Sequence, residues 1–216
     1  MARQENLPFD RGEYQSDDST QLVTTSQMNQ LLGRRYIVED IDYYNSGGVG
    51  AKPLRSGKFV TLCLVKNGNS AAAMLPKHVV KFDTTAGNYG SVVKFDGSVA
   101  AEDVAGVVDE FLPSSGVPAG SYFYIVVEGP SSVITPDAGA AFNGDIAVGS
   151  LLVAATAASS TGTTSGRVGV ANITASTQTA DYSSIQNPII NAIGRALSAA
   201  TTGNTATTIL CDVARL

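Results

Sequence analysis

The chain has 216 residues, 44% of them hydrophobic, with a formal net charge of −5 and a pI near 4.8. This length and apolar content suffice for one large β domain, or for a compact domain with an arm. An acidic chain lacks the basic stripe that nucleic-acid binding needs, so we expect no nucleic-acid partner. No stretch reaches ~18 uninterrupted apolar residues and residues 1–20 hold no apolar run, which predicts neither a membrane helix nor a signal peptide.

Charge is divided unequally along the chain. Residues 1–110 carry 25 charged side chains, whereas residues 111–216 carry 8, and none of these is Lys. A soluble monomer normally covers its surface with charge. We therefore expect residues 111–216 to pack against other subunits or to present a Thr- and Ser-covered β surface. Both expectations favour assembly over catalysis.

Residues 1–33 are predicted to form an N-terminal arm. Residues 1–20 are polar and mixed in charge, and residues 19–32 fit a short helix that ends at Gly33. Because so polar an arm has few apolar anchors, we expect neighbouring subunits to hold it, with packing on its own domain as the alternative. The candidate residues for contact with a partner or with other subunits are seven in the arm and one outward-facing position, Thr174, in a later predicted strand. The seven are Arg3, Leu7, Phe9, Arg11, Tyr14, Leu22 and Met28.

Residues 34–87 are predicted to form a small β module. Its strands should be residues 35–43, 58–66 and 79–82, which are rich in β-branched and aromatic side chains. Asn67 and Gly68 follow a strand-like run, which is typical of a hairpin. Residues 71–75 would be the second strand of that hairpin.

Residues 88–216 are predicted to form a second β module, a sandwich or barrel, because short strand-like runs recur between turns. Residues 122–127 do not alternate, which favours a central strand covered on both faces. Gly129 and Pro130 after that run indicate a turn. The predicted strands are residues 90–95, 104–108, 122–128, 133–135, 146–154, 168–175 and 207–213.

Three segments of the second module have more specific predictions. Residues 189–197 fit either a helical stripe or a strand, and the family resemblance described below favours the strand. Ile209, Cys211 and Val213 share one face of the last strand, which should face the core. Residues 154–166 contain only Ala, Ser, Thr and Gly and so have no bulky side chain to bury, which predicts an exposed loop.

The sequence offers little for catalysis or metal binding. His78 is the single histidine and has no ligand-type neighbour at metal spacing. Pairs of carboxylates such as Asp40 and Asp42 are best explained by solvated polar faces. Cys63 and Cys211 should be reduced thiols in the core. We therefore predict no catalytic residue, no metal and no cofactor.

A series of short phrases in residues 88–216 has a recognisable order. The phrases are residues 90–97, 104–108, 120–129, 143–145, 192–197 and 208–213. In this order they resemble the head-decoration, or capsid cement, proteins of tailed bacteriophages. The similarity covers about three fifths of the chain, and the order of the phrases is more specific than any one phrase.

The resemblance implies a mainly β protein without catalytic activity, attached to the outside of an assembled phage head. It implies a homotrimer at local threefold positions, with the major capsid protein as partner and with arms that clamp capsid subunits together. It further implies a virion protein that assembles in the host cytoplasm, with no membrane partner. The extra module at residues 34–87 leaves open which module touches the shell.

Two other classes of function remain as alternatives. A phage tail, fibre or glycan-recognition module could stack sugars on exposed aromatic rings. Its candidate residues are Tyr43, Tyr44, Tyr89 and Tyr122. An enzyme is the other alternative, but the composition offers almost no candidate site for one.

Overall fold

A computed structural model describes residues 7–17, 25–41, 54–69, 72–94, 104–135, 146–154, 167–170, 192–200 and 207–214. In these ranges the chain forms one short helix and a ten-stranded sheet. The elements are α1 (Thr25–Leu31), β1 (Arg35–Ile41), β2 (Leu54–Asn67), β3 (Val79–Phe82), β4 (Val92–Lys94), β5 (Val104–Val108), β6 (Tyr122–Ile134), β7 (Leu151–Ala154), β8 (Val168–Val170), β9 (Ala192–Ala196) and β10 (Thr208–Ala214). The predicted mainly β fold is confirmed.

Five strands close into a barrel. Their order is β2-β4-β3-β5-β6, and β6 returns to pair with β2. The closing contact is antiparallel and extends from Thr61 to Lys66 of β2. β2 and β4 form a parallel pair at Lys66 and Asn67. A small closed barrel of this kind is filled by its own inward-facing side chains.

The barrel strands are buried on both faces. Cys63, Val65, Phe123 and Ile125 belong to a cluster with side chains from all five barrel strands, which is the barrel interior. The alternate positions of β2 and β6 belong to a second cluster, which also contains residues of α1, β1 and β7–β10. This confirms the prediction that residues 122–127 form a central strand covered on both faces.

The second half of β6 leaves the barrel and carries the rest of the sheet. β10 pairs with β6 from Glu128 to Ile134, and β9, β7 and β8 follow in that order. Ile209, Cys211 and Val213 are all buried, as their shared face predicts. Residues 192–196 are a strand and not a helix, so the resemblance selected the correct alternative.

The turn predicted at Gly129 and Pro130 is wrong, because β6 continues through both residues and pairs there with Val213 and Asp212. Gly129 has φ +97°, and a Cβ at this position would lie 2.6 Å from the carbonyl oxygen of Phe59. Glycine is required here for a close approach of two strands, and not for a turn.

The hairpin predicted at Asn67 and Gly68 is also wrong. β2 ends at Asn67, but Met74 in the following segment forms an isolated bridge with Val117 and no ladder with β2. The Asn67 side chain holds this loop, because its Nδ2 donates to the carbonyls of Ala72 and Val117 at 3.1 and 2.9 Å. The amide therefore organises a longer connection in place of a tight turn.

The predicted boundary between residues 87 and 88 falls inside the barrel. β2 and β3 precede it and β4, β5 and β6 follow it, yet all five strands belong to the same closed sheet. The predicted arm helix is present as α1, in which Met28 is buried. Gly33, with φ +78°, follows the helix as predicted. The loop predicted after Ala154 and the later part of the strand predicted at 168–175 lie outside the described residues.

Candidate functional site: the arm on the barrel and the exposed β1–β2 face

The described residues offer no candidate metal site. There, no three His, Cys, Asp or Glu side chains lie close enough together to hold a metal ion. The Nδ1 of His78 is 3.1 Å from the carbonyl oxygen of Pro76, and burial lowers the pKa of its ring. Cys63 and Cys211 are free and buried, as predicted. In the described ranges no helix is both long and apolar enough to cross a bilayer.

Arg11 lies in a buried ion cluster. Its Nε is 2.9 Å from Oδ2 of Asp109, its Nη2 is 3.1 Å from Oδ1 of the same carboxylate, and its Nη1 is 3.6 Å from Oδ1 of Asp40. All three side chains are 0% exposed. The guanidinium also stacks 4.5 Å above the ring of Phe111. The cluster therefore ties the arm to β1 and to the segment after β5.

The cluster corrects one prediction and perturbs one carboxyl group. Asp40 was expected on a solvated face but is fully buried, with one carboxylate oxygen 3.6 Å from the Arg11 guanidinium. Complete burial raises the pKa of the Asp109 carboxyl, and the Arg11 guanidinium opposes that shift. A charged arginine without these carboxylates would be costly to bury.

Phe9 packs on Tyr124, a residue of the barrel wall. The two ring centroids are 4.6 Å apart, and the Tyr124 hydroxyl donates to the backbone carbonyl of Phe9 at 3.2 Å. Tyr36 meets the same ring edge-on at 6.0 Å. Burial raises the pKa of the Tyr124 phenol strongly. One aromatic group thus fixes both the backbone and a side chain of the arm.

Tyr122 is the second attachment point. Gln15 and Tyr122 exchange backbone hydrogen bonds of 2.9 and 2.8 Å, and the Tyr122 hydroxyl donates to Oδ1 of Asn29 at 2.9 Å. Nearby, Nζ of Lys66 donates to Oδ2 of Asp17 at 2.8 Å, and this bond lowers the pKa of Asp17. The arm on both sides of residues 18–24 is therefore bonded to β6.

The candidate residues for partner contact differ in how accessible their side chains are. Arg11 and Met28 are buried in the chain's own core, so their side chains are not available to a partner in this conformation. Leu7 and Phe9 are half-buried against that core. Tyr14 is 37% exposed. Contact between the arm and a partner stays a prediction, and Tyr14 is the described candidate whose side chain is accessible for it. Three further candidates lie outside the described residues: Arg3, Leu22 and Thr174.

The face that β1 and β2 present to solvent carries two large apolar side chains that the sequence analysis did not single out. Ile37 is 52% exposed and Phe59 is 49% exposed. In the antiparallel register Ile37 is opposite Thr61, and Glu39 is opposite Phe59. The available signal was the two-residue period of β1, which places Ile37 between Arg35 and Glu39 on one face.

Of the four tyrosines considered for sugar stacking, the structure describes Tyr89 and Tyr122. Tyr122 is fully buried, so its ring has no face for a ligand. Tyr89 is 55% exposed and its ring lies 5.4 Å from that of Phe82. Tyr43 and Tyr44 lie outside the described residues.

Comparisons with known proteins give partial structural similarities at low identity. No family model matches the chain, and no curated protein sequence matches it. The solved structure of the head fibre gp8.5 N base in bacteriophage phi29 is 12% identical with a TM-score of 0.36, covering 72% of this chain and 95% of that one. A chain from the capsid of the Myoviridae phage XM1 is 15% identical with a TM-score of 0.41, covering 81% of this chain and 91% of that one.

Proposed function

We propose that this chain is a structural protein of a tailed-phage virion that binds the outside of the assembled head as a decoration, or cement, protein. The observation that carries the proposal is the position of the family-like phrases in the fold. Five of the six phrases fall, in chain order, on β4, β5, the first half of β6, β9 and β10, and the phrase at residues 143–145 lies outside the described residues. These five phrases correspond to strands of the continuous sheet and not to scattered loops.

The physical role follows from binding the assembled shell in preference to free subunits. A protein that binds only the assembled state shifts the equilibrium toward that state by mass action. The modest binding energies of many copies add up over the shell, because neighbouring subunits already hold each shell subunit in place and the further contacts form within one particle. This role needs a stable scaffold and an accessible surface, and it needs no catalytic group.

The proposed assembly state is a homotrimer at local threefold positions, contacting the major capsid protein. Support comes from residues 111–216, whose 8 charged side chains leave few groups to desolvate at an interface. Closed cyclic symmetry is the usual way to bury one repeated patch. Mass measurement of the isolated protein in gentle buffer should give a trimer, or a multiple of three where trimers associate further, and Thr174→Lys should weaken assembly more than folding. A monomer both free and on the particle would refute the trimer.

The experiment that separates this proposal from a tail or fibre protein is a copy count in purified particles. Quantitative mass spectrometry should find the chain in a fixed, near-stoichiometric ratio to the major capsid protein. A tail, fibre or glycan-binding protein would be present in only a handful of copies. A handful of copies would overturn the cement proposal and move attention to the exposed ring of Tyr89.

Particles that lack the protein provide the functional test. Adding the purified chain to them should raise the temperature at which the heads release their DNA, and the gain should saturate with occupancy. Saturated heads that release DNA at the original temperature would show that the chain decorates without stabilising.

A further inference from the structure

One edge of β1 is open in the described part of the chain. β1 pairs with β2 along its other edge, and no described strand pairs with the open one. The carbonyl of Arg34 accepts from the amide of Leu64 in β2. Since successive backbone groups alternate in direction, the backbone groups of residues 36 and 38 also point toward β2. Those of Arg35, Ile37 and Glu39 point outward.

The same three residues carry the exposed side chains of β1. Arg35, Ile37 and Glu39 are exposed, whereas Tyr36 and Val38 are buried. The outward backbone groups and the outward face thus belong to one set of residues. An open edge of seven residues is long enough to template another strand. The irregularity in the pairing of β1 with β2 lies between Glu39 and Ile41, beyond the three residues with outward backbone groups.

We propose that the open edge of β1 binds the β1 strand of a second copy of this chain, antiparallel and across a twofold axis at Ile37. In this register Ile37 is opposite the second copy's Ile37, and Arg35 is opposite the second copy's Glu39. Each of the three opposed pairs exchanges backbone hydrogen bonds. The ion pair occurs twice, once on each side of the axis.

Charge selects this register and this partner. Sliding the second strand by two residues in either direction places a charged residue opposite Ile37 and breaks both ion pairs. A shift of one residue turns the outward backbone groups away from each other. The sequence of β1 is therefore self-complementary about Ile37 in a way that a random edge strand is not.

Phe59 strengthens the apolar centre of the contact. It lies opposite Glu39 on the exposed face and is diagonal to Ile37. Diagonal neighbours on one face remain within reach of an aromatic ring. In the paired sheet, the Ile37 and Phe59 side chains of both copies would form one apolar strip, with the charged pairs beside it.

The inference does not rest on the proposed function, because the contact forms between isolated chains. It also differs from a threefold contact through residues 111–216. If the chain does sit at threefold positions of a shell, neighbouring trimers meet across twofold axes, and β1 would join them.

Covalent capture tests the geometry. Opposed residues in such a ladder have Cα atoms about 5.5 Å apart, which is within disulfide range. Ile37→Cys should therefore give a disulfide-linked dimer under mild oxidation, seen on a denaturing, non-reducing gel. Val148→Cys, at another exposed position, is the control, and the native Cys63 and Cys211 are buried. Cross-linking of Val148→Cys as fast as Ile37→Cys would overturn the proposal.

Charge exchange tests the register. In the Ile37→Cys background, Arg35→Glu or Glu39→Arg should each slow cross-linking about tenfold, because both ion pairs become repulsive. Mixing these two variants should restore the rate to within about twofold of the parent, since each supplies the charge that the other lacks. Arg34→Glu makes the same charge change one position away and should have little effect.

Each outcome of the charge exchange is decisive. All altered side chains are exposed, and circular dichroism checks that every variant folds as the parent does. Failure of the mixture to recover would rule out the twofold register, as would equal rates for all variants. Loss of the β1 contact would leave the copy number on phage heads unchanged, so the two proposals fail independently.

Discussion

Arg11 and Asp109 are 98 residues apart in the chain, yet they form a bidentate ion pair that is completely buried. Asp40 completes the cluster from β1. The pair connects the arm, the first strand and the barrel at one point. Removing the pair should therefore lower the free energy of unfolding.

Arg11→Met should destabilise the protein by about 3–5 kcal/mol, because it leaves the Asp109 carboxylate buried without its guanidinium partner. Urea unfolding at pH 7 measures the loss. The control is Lys66→Met, which removes an ion pair with Asp17 in which both partners are partly exposed. That change should cost about 1 kcal/mol or less. Equal losses for the two variants would mean that the buried cluster contributes nothing special.

Gly194→Ala should weaken the sheet at the contact between β9 and β10. A Cβ at this position would collide with the carbonyl oxygen of Asp212, so the two strands must separate. Gly149 also has a positive φ, +87°, but nothing lies within 4 Å of its would-be Cβ. We expect about 1–2 kcal/mol for Gly149→Ala from backbone strain alone. Gly194→Ala should cost a further ~1–3 kcal/mol from overpacking.

Asp83 should make stability depend on pH in the acid range. Burial alone would raise its pKa, but hydrogen bonds from the hydroxyl and amide of Thr85 and from Asn88 outweigh burial and hold the pKa well below its ordinary value. During acidification, Asp83 therefore takes up its proton at a lower pH in the folded state than in the unfolded state. The stabilisation is complete above the unfolded pKa of about 3.9 and is lost as the pH falls further.

The measurement is the difference in unfolding free energy between the parent and Asp83→Asn. The difference should be the same at pH 7 and pH 5 and should shrink at pH 3. Thr85→Val, which removes one donor and keeps the carboxylate, should show a smaller change with pH. A difference that grows toward pH 3 would contradict the sign of the shift.

Both thiols should be inert in the folded protein. Burial raises the pKa of Cys63 to about 11 and that of Cys211 to about 12, so the reactive thiolate is scarce at neutral pH. A maleimide reagent at pH 7.5 should label neither residue in buffer and both in denaturant without reductant. Failure to label either one in denaturant would reveal a disulfide or another modification.

The parts of the fold that follow from local pattern were predictable. Alternation identified the buried face of Ile209, Cys211 and Val213, and the absence of alternation identified β6 as a doubly covered strand. These features depend on a strand's own residues, and neighbours only have to cover them. The two-residue period of β1 likewise contained the signal for Ile37, although it was not used.

Features that depend on distant neighbours were not predictable. Gly129 and Pro130 have the composition of a turn, but the strand continues there because both residues pair with β10. The close approach of Phe59 explains why residue 129 is glycine. Asp40 is of a residue type that normally lies at the surface, and its contact with Arg11 depends on a residue 29 positions earlier in the chain. The division of the barrel between residues 34–87 and residues 88–216 was hidden because β2 and β6 are far apart in sequence.

The arm should contribute to stability and to partner contact through different residues. Phe9→Ala removes the ring that packs on Tyr124 and should cost roughly 2 kcal/mol, less than a fully buried phenylalanine would. Tyr14→Ala alters an exposed side chain and should change stability by about 0.5 kcal/mol or less. If the arm touches the shell, Tyr14→Ala should nevertheless lower occupancy on heads. Deleting residues 2–32 is a poorer test, because it would also uncover Tyr122 and Tyr124.

Occupancy is measured by adding each variant to particles that lack the protein and quantifying the bound chain after sedimentation. Phe9→Ala is compared at a temperature where it remains folded, so that reduced binding is not confused with unfolding. Reduced occupancy for Tyr14→Ala at unchanged stability would place the exposed side of the arm at the shell. Full occupancy would remove Tyr14 from the contact and leave the arm with the intramolecular role that Arg11, Phe9 and Gln15 already give it.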